Sequence, residues 1–271
     1  MSRSAALPRP ADFWPFVRTQ AWASLFGIAL LAGLILSRAI WQPDWPLARY
    51  DALTLYAIAL QAAFLHFRLE SWSEARVIAL FHLTGTIMEL FKTAAGSWSY
   101  PEPALLRIAD VPLFSGFMYA AVGSYMVRVI RLSRMRFDRF PPFALHLALA
   151  VAIYVNFFAH HVLPDIRLAL FAATILLYGR TTIRFTAGRR RYAMPLPLAA
   201  LLSSLFLWIA ENIGTGTNTW VYAGQTPWEM VSLAKMGSWY LLLYVAFATV
   251  TLVLRGPLRP APARARSRPR R

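Results

Sequence analysis

Eight uninterrupted apolar stretches constrain this chain more than any other feature. They cover residues 21–40, 50–67, 76–93, 112–130, 142–163, 166–183, 195–215 and 229–254. A helix needs about 20 apolar residues to cross a hydrocarbon core ~30 Å thick. The sixth stretch is the weakest, because Arg180 lies in its last turn. Spans of a β-barrel would instead alternate apolar and polar residues over ~10 positions, and none of these does. Composition agrees: 58% of the residues are hydrophobic and 15% charged, where a soluble domain carries about a quarter charged. The expected fold is an all-α integral membrane protein of eight transmembrane helices. The first stretch follows Arg3, Arg9 and Arg18 as a signal peptide would. It is longer than a secretory core of ~7–15 residues and no small-residue cleavage site follows, so it reads as a retained span.

Charge sets the orientation. The formal net charge is +16, a value that in a soluble chain would point to nucleic acid. With both termini inside, however, 22 of the 28 basic residues fall on inner segments, and the outer ones keep Arg38, Arg49, Lys92, Arg107, Arg167 and Lys235. That is the positive-inside pattern. The basic residues follow membrane edges without a nucleic-acid-binding motif, so no nucleic-acid partner is expected. Membrane lipids are the expected partners, the arginine-rich tail meeting anionic headgroups. Cysteine is absent, which removes disulfides, thiolate metal sites and cysteine nucleophiles.

A shift of 122 residues lays one half of the chain on the other. Glu89 meets Glu211, Thr93 meets Thr215, Trp98 meets Trp220 and Tyr100 meets Tyr222, while Ser97 matches Thr219. Ser115-Gly116-Phe117 then falls on Gly237-Ser238-Trp239, small-small-aromatic in both. The shift also places spans 1–4 on spans 5–8. Interfacial Trp and Tyr are common and explain one such pair, but not a Glu, a Thr, a Trp and a Tyr in one register. Two four-helix repeats with an even number of spans share one orientation, as parallel repeats do. The expected organisation is a cytoplasmic segment 1–20, a first repeat 21–131, a basic linker 132–141, a second repeat 142–254 and a basic, disordered tail 255–271. The inner connections, rich in arginine, read as plain tethers.

Ionisable groups within spans are costly and mark function by default. His82, Thr86, Glu89 and Thr93 share one helix face, as do Ser204, Trp208, Glu211 and Thr215. Each repeat thus offers a carboxylate near the outer surface, with a Trp-x-Tyr element following it into an outer loop. Glu89 and Glu211 are the candidate central pair, acting as proton donor and acceptor or as ligand anchors. Lys92, Lys235, Asn212, Trp98, Tyr100, Trp220 and Tyr222 are candidate binding residues around them, and His160, His161 and Asp165 from the fifth span assist. The competing reading makes Glu89–Lys92 and Glu211–Lys235 structural ion pairs and the aromatics belt residues. Glutamine at either carboxylate is expected to keep the fold while abolishing ligand retention.

No metal or cofactor is expected. Adjacent His160 and His161 point about 100° apart on a helix, and neither His-x-x-x-His nor His-Glu-x-x-His spacing occurs. Phosphate-binding loops, dinucleotide fingerprints and nucleophile elbows are missing too; Gly214-Thr-Gly216-Thr closes a helix and follows no strand.

The stretches Glu89-Leu-Phe-Lys-Thr-Ala-Ala-Gly-Ser-Trp-Ser-Tyr-Pro, Pro112-Leu-Phe-Ser-Gly-Phe-Met-Tyr, Asn156-Phe-Phe-Ala-His-His and Glu211-Asn-Ile-Gly-Thr resemble an uncharacterised bacterial membrane family, domain of unknown function 817, over all but the two tails. The resemblance implies a multi-pass protein of the bacterial cytoplasmic membrane and no activity. A Glu at a helix end followed by Gly and aromatic-x-Tyr is also similar to membrane carotenoid hydratases and lycopene-cyclase-like proteins, which implies a hydrophobic substrate. Three functions follow as expectations. The first is binding or modification of a lipid-like or isoprenoid molecule in a cavity open to the outer half of the membrane. The second is small-solute transport on the same carboxylates, and the third is a structural membrane subunit. Nearly apolar inner halves of spans 3 and 7 favour a one-sided site.

Overall fold

The computed structural model describes residues 10–226 and 229–258. Arg3, Arg9 and the tail from Arg259, with its expected disorder, lie outside the described residues. The described chain is mostly helical: α1 Pro10–Ala23, α2 Leu25–Ile40, α3 Arg49–His66, α4 Trp72–Ala94, α5 Phe114–Leu132, α6 Phe143–Ala159, α7 Arg167–Tyr178, α8 Leu196–Gly216 and α9 Leu233–Val253. Each of the eight apolar stretches overlaps one helix from α2 to α9. Three helices, α4, α8 and α9, are long and apolar enough to cross a membrane, and the bent pair α1–α2 makes a fourth if counted as one span.

Two local expectations change. The stretch 166–183 is helical only to Tyr178; 12 residues at 1.5 Å each reach about 18 Å, well short of the ~30 Å core. Beyond Gly179 the sequence alternates, with Ile183, Phe185 and Ala187 buried, and forms β5 Thr182–Ala187. That strand turns back through Gly188, at φ +58°, into β6 Arg190–Pro195, and pairs on its other side with β4 Arg136–Asp138. Glycine takes that left-handed conformation without steric cost. The arginine-rich connections are therefore a three-stranded antiparallel sheet: their arginines hid a period of two. Second, residues from Pro10 onward form α1, which meets α2 at 66° and packs against α5 and β5.

Buried polar groups fix the frame. Arg128 of α5, 1% exposed, donates to the carbonyls of Leu69 at 2.7 Å and Trp22 at 2.6 Å. It ties α5 to the α3–α4 turn and to the end of α1. The start of α4 carries a full capping box between Ser71 and Glu74, which satisfies otherwise orphaned amides. On the opposite end, Asp51 of α3 accepts from the amides of Leu105 and Leu106, and Arg49 pairs with Glu102 at 2.7 Å. These bonds hold the 95–113 loop, with its short strands β1 Trp98–Ser99, β2 Arg107–Ile108 and β3 Val111–Pro112, over the helix ends. Near β1 lies β7, Val221–Tyr222. The two pair antiparallel, with Ser99 opposite Val221 and Trp98 opposite Tyr222.

Helices α4 and α5 make the most extensive pairing in the bundle. It is close because a Cβ on Gly116 would lie 2.4 Å from the His82 ring and one on Gly85 2.4 Å from Tyr119. Gly237 approaches Phe171 of α7, so the two small-residue pairs serve different neighbours.

Candidate functional site

Glu89 stands in the last turns of α4, 3% exposed. Three neutral donors reach it: Trp98 Nε1 and Tyr100 hydroxyl at 2.8 Å each on Oε2, and Tyr119 hydroxyl at 2.8 Å on Oε1. Glu211 stands in the corresponding part of α8, 6% exposed. Trp220 Nε1 at 3.0 Å and Tyr222 hydroxyl at 2.5 Å reach its Oε1, and Trp239 Nε1 at 2.8 Å reaches its Oε2. Each carboxylate thus wears a collar of three aromatic side chains. The first two donors lie 9 and 11 residues downstream in both collars. The third comes from the next helix of the same half.

Such collars answer a physical problem. An isolated buried carboxylate is very costly, and hydrogen bonds to its charged form offset that cost. An ionised carboxylate offers about four acceptor positions, of which three are filled. Burial and the facing carboxylates push the phenols of Tyr100 and Tyr222 well above their usual range, so both remain hydroxyl donors. The collars touch at their edges: Trp98 meets Tyr222 at 5.8 Å between ring centres and Tyr119 meets Trp239 at 6.3 Å.

Both carboxylates line one cavity of about 940 Å³ that runs between α1, α2, α5, α8 and α9, with α4 and α6 closing the end near the glutamates. The end near the glutamates holds Lys92, Lys235 and His160 beside the aromatics, and the cavity's walls are mainly leucine, isoleucine, methionine, phenylalanine, alanine and valine. Farther along, Gln20 and Tyr125 line it, joined by a 2.9 Å hydrogen bond. It continues to Met135, Ile183, Phe185 and Met194 near the three-stranded sheet. The cavity is therefore longer than an outer, one-sided pocket.

Lys92 and Lys235 form no ion pair with either glutamate within 4.0 Å. Lys92 Nζ lies 2.8 Å from His161 Nε2 and 4.2 Å from the Phe157 ring centre. Lys235 Nζ sits 3.8 Å over the Tyr222 ring. Of the other expected residues, Asp165 binds Asn156 at 3.1 Å and Arg167 at 3.0 Å, and the Asn156 hydrogen bond holds its carboxyl below the usual range. His161 and Asp165 flank the cavity without lining it. Asn212 is also outside: its amide staples the chain after α8, accepting from Val231 N at 2.9 Å and donating to Trp208 O at 2.7 Å. His82 packs on Phe117, and Thr86 and Thr93 bond back to their own helix.

Tyr119 and Trp239 were not singled out as donors. The 122-residue register would nominate Phe117 opposite Trp239; α5 instead supplies Tyr119, two positions on. The signal available was chemical: Phe117 has no donor to offer a buried carboxylate, and Tyr119 has.

A family profile described as "Protein of unknown function (DUF817)" matches residues 12–247. The chain is also 41% identical over 232 residues to "Uncharacterized protein YoaT" of Bacillus subtilis (strain 168), covering 85% of this chain and 87% of that protein. No solved structure matches.

Proposed function

We propose that this chain, which belongs to the DUF817 family of proteins of unknown function, is a membrane protein that holds a lipid-like or isoprenoid molecule in its central cavity. The observation that carries this reading is the cavity's composition: about 940 Å³, apolar along its length, with charged groups gathered at one end. Ligand pockets commonly measure ~300–1,000 Å³ with few polar groups that fix orientation. A carrier of polar solutes would need polar groups continuing along the path, and below the collars only Gln20, Tyr125, Ser24 and Ser203 interrupt the apolar wall. Glu89 and Glu211 are the central polar pair of this site; the aromatics they fix form its outer wall, and His160 lines it beside them.

The bundle reads as eight membrane-embedded helices, α2 to α9, in two fused repeats with both termini inside, α7 entering the core without crossing its full thickness. Support comes from equivalent collars at equal sequence separations and from Ser99 lying opposite Val221, its counterpart at the 122-residue shift. A two-fold relation between the halves would produce that antiparallel pairing. The bacterial cytoplasmic membrane is the proposed location. Because the chain has no cysteine, one introduced thiol reports its side. Leu105→Cys, in an outer loop and 90% exposed, is expected to react with an impermeant maleimide on intact cells. Arg189→Cys, at the exposed β5–β6 turn, should react only after lysis; the opposite pattern overturns the orientation.

The ligand itself is tested by purification in mild detergent followed by extraction and mass spectrometry. About one equivalent of a defined amphiphile is expected, and its loss is expected in a Leu207→Trp variant, which fills the cavity beside Glu211. Bulk lipid alone, in unchanged amount in the variant, counts against the reading.

A further inference from the structure

Resting on that reading, we infer that the ligand carries an anionic head, a phosphate or a carboxylate, seated between Lys92 and Lys235. The argument is an account of donors and acceptors at the polar end of the cavity. On the acceptor side, each glutamate already receives three hydrogen bonds. Asn156, which also lines the cavity, uses its oxygen for Ile166 N and its nitrogen for Asp165. The charge of Arg167 is matched by Asp165.

The lysines differ. A lysine ammonium offers three donors and no acceptor. Lys92, 3% exposed, spends one on His161. Lys235 rests on the Tyr222 face, and its ammonium has no hydrogen-bond partner among the described residues. Two donors of Lys92 and three of Lys235 thus remain at the cavity's outer end. Charged groups at membrane depth are otherwise paired or solvated. A ligand head made of acceptors with negative charge completes this set, whereas a cationic head would meet two ammonium groups. The apolar length beyond them takes the tail.

The two halves divide the task. At the 122-residue shift Lys92 corresponds to Gly214, which lies under the Trp220 ring. The first half supplies charge at this position and the second supplies room for an indole.

The test uses delipidated full-length protein and three probes of equal chain length: dodecyl phosphate, laurate and dodecanol, with inorganic phosphate as a fourth. Binding is read from intrinsic tryptophan emission, since Trp98, Trp220 and Trp239 line the cavity. Dodecyl phosphate or laurate is expected to bind at least tenfold more tightly than dodecanol, and whichever of the two is preferred identifies the head. In Lys92→Gln/Lys235→Gln that preference should disappear, the anions falling to the level of dodecanol; Lys92→Arg/Lys235→Arg should retain it. Equal binding of dodecanol and the anions to the wild-type protein overturns the anionic head and leaves the lipid reading standing, with no variant needed. Binding of none of the three alkyl probes overturns the lipid reading itself. Inorganic phosphate competing as well as dodecyl phosphate would assign the site to a free anion and overturn the tail.

Discussion

Gly214→Ala is expected to be among the most damaging single-methyl changes in the chain. A Cβ there would lie 1.8 Å from one atom of the Trp220 ring and 2.2 and 2.4 Å from two more. The ring is held by its bond to Glu211 and is 8% exposed, so it cannot swing aside and stay bonded. Overpacking costs about 1–3 kcal/mol, and freeing a buried indole N–H adds about 1–3 kcal/mol. The expected destabilisation is therefore roughly 2–6 kcal/mol, read as a fall in Tm in detergent and a shift in tryptophan emission. Gly216→Ala is the control. Two residues on in the same helix, its Cβ would meet nothing within 4 Å, and alanine is the better helix former by up to about 1 kcal/mol. Opposite signs two residues apart are the expected result; similar effects would mean that Trp220 does not lie over Gly214.

The second large effect separates the two collars. Glutamine for Glu89 keeps an oxygen for Trp98 and Tyr100 and turns its NH2 toward Tyr119, whose hydroxyl can rotate to accept. Glutamine for Glu211 has no such way out. With its oxygen facing Trp220 and Tyr222, its NH2 faces Trp239 Nε1–H; reversed, it faces Trp220 Nε1–H. Indole is a donor only, so one N–H stays buried without an acceptor in either orientation. Glu211→Gln should be less stable than Glu89→Gln by about 1–3 kcal/mol, at roughly 2–4 °C in Tm for each kcal/mol. Adding Trp239→Phe to Glu211→Gln should restore part of the loss. Equal Tm values for the two glutamine variants, or a larger loss at position 89, would contradict the collar geometry. Sequence alone led to the same tolerance at both positions, because a third donor contributed by the next helix has no fixed spacing.

That difference shows what could be read in advance. The carboxylates and their Trp-x-Tyr partners were legible because they are close in sequence and repeat at one shift, so Glu89, Trp98 and Tyr100 predict Glu211, Trp220 and Tyr222. Helices α2 to α9 were legible from apolar length, though α7 stops short of its stretch and α1 lies ahead of the first one. What escaped were contacts decided by packing between elements. Lys92 and Lys235 sit near the glutamates in sequence or depth, yet the glutamates are satisfied by aromatics, and the lysines turn to His161 and Tyr222. Asn212, adjacent to Glu211, faces the other way, because successive residues on a helix point about 100° apart. The β5–β6 hairpin was obscured by its charge, since counting arginines for topology passed over the alternation of Ile183, Phe185 and Ala187 between them.

All six collar donors come from the same half of the chain as the carboxylate they serve, the farthest only 30 residues away. A nascent chain can therefore close the first collar before any of the second has been made, in keeping with amino-terminal units folding first during synthesis. Joining the halves then adds ring edges and the two-residue ladder between β1 and β7, a ladder too short to persist without the helices behind it. It also adds the Lys92–His161 bond and the bond from the Tyr50 hydroxyl to the Thr219 carbonyl, none of which touches either glutamate. Order of manufacture is thus separable from the finished site. A permuted chain that begins with the second half and ends with the first would meet the same bonds in reverse sequence.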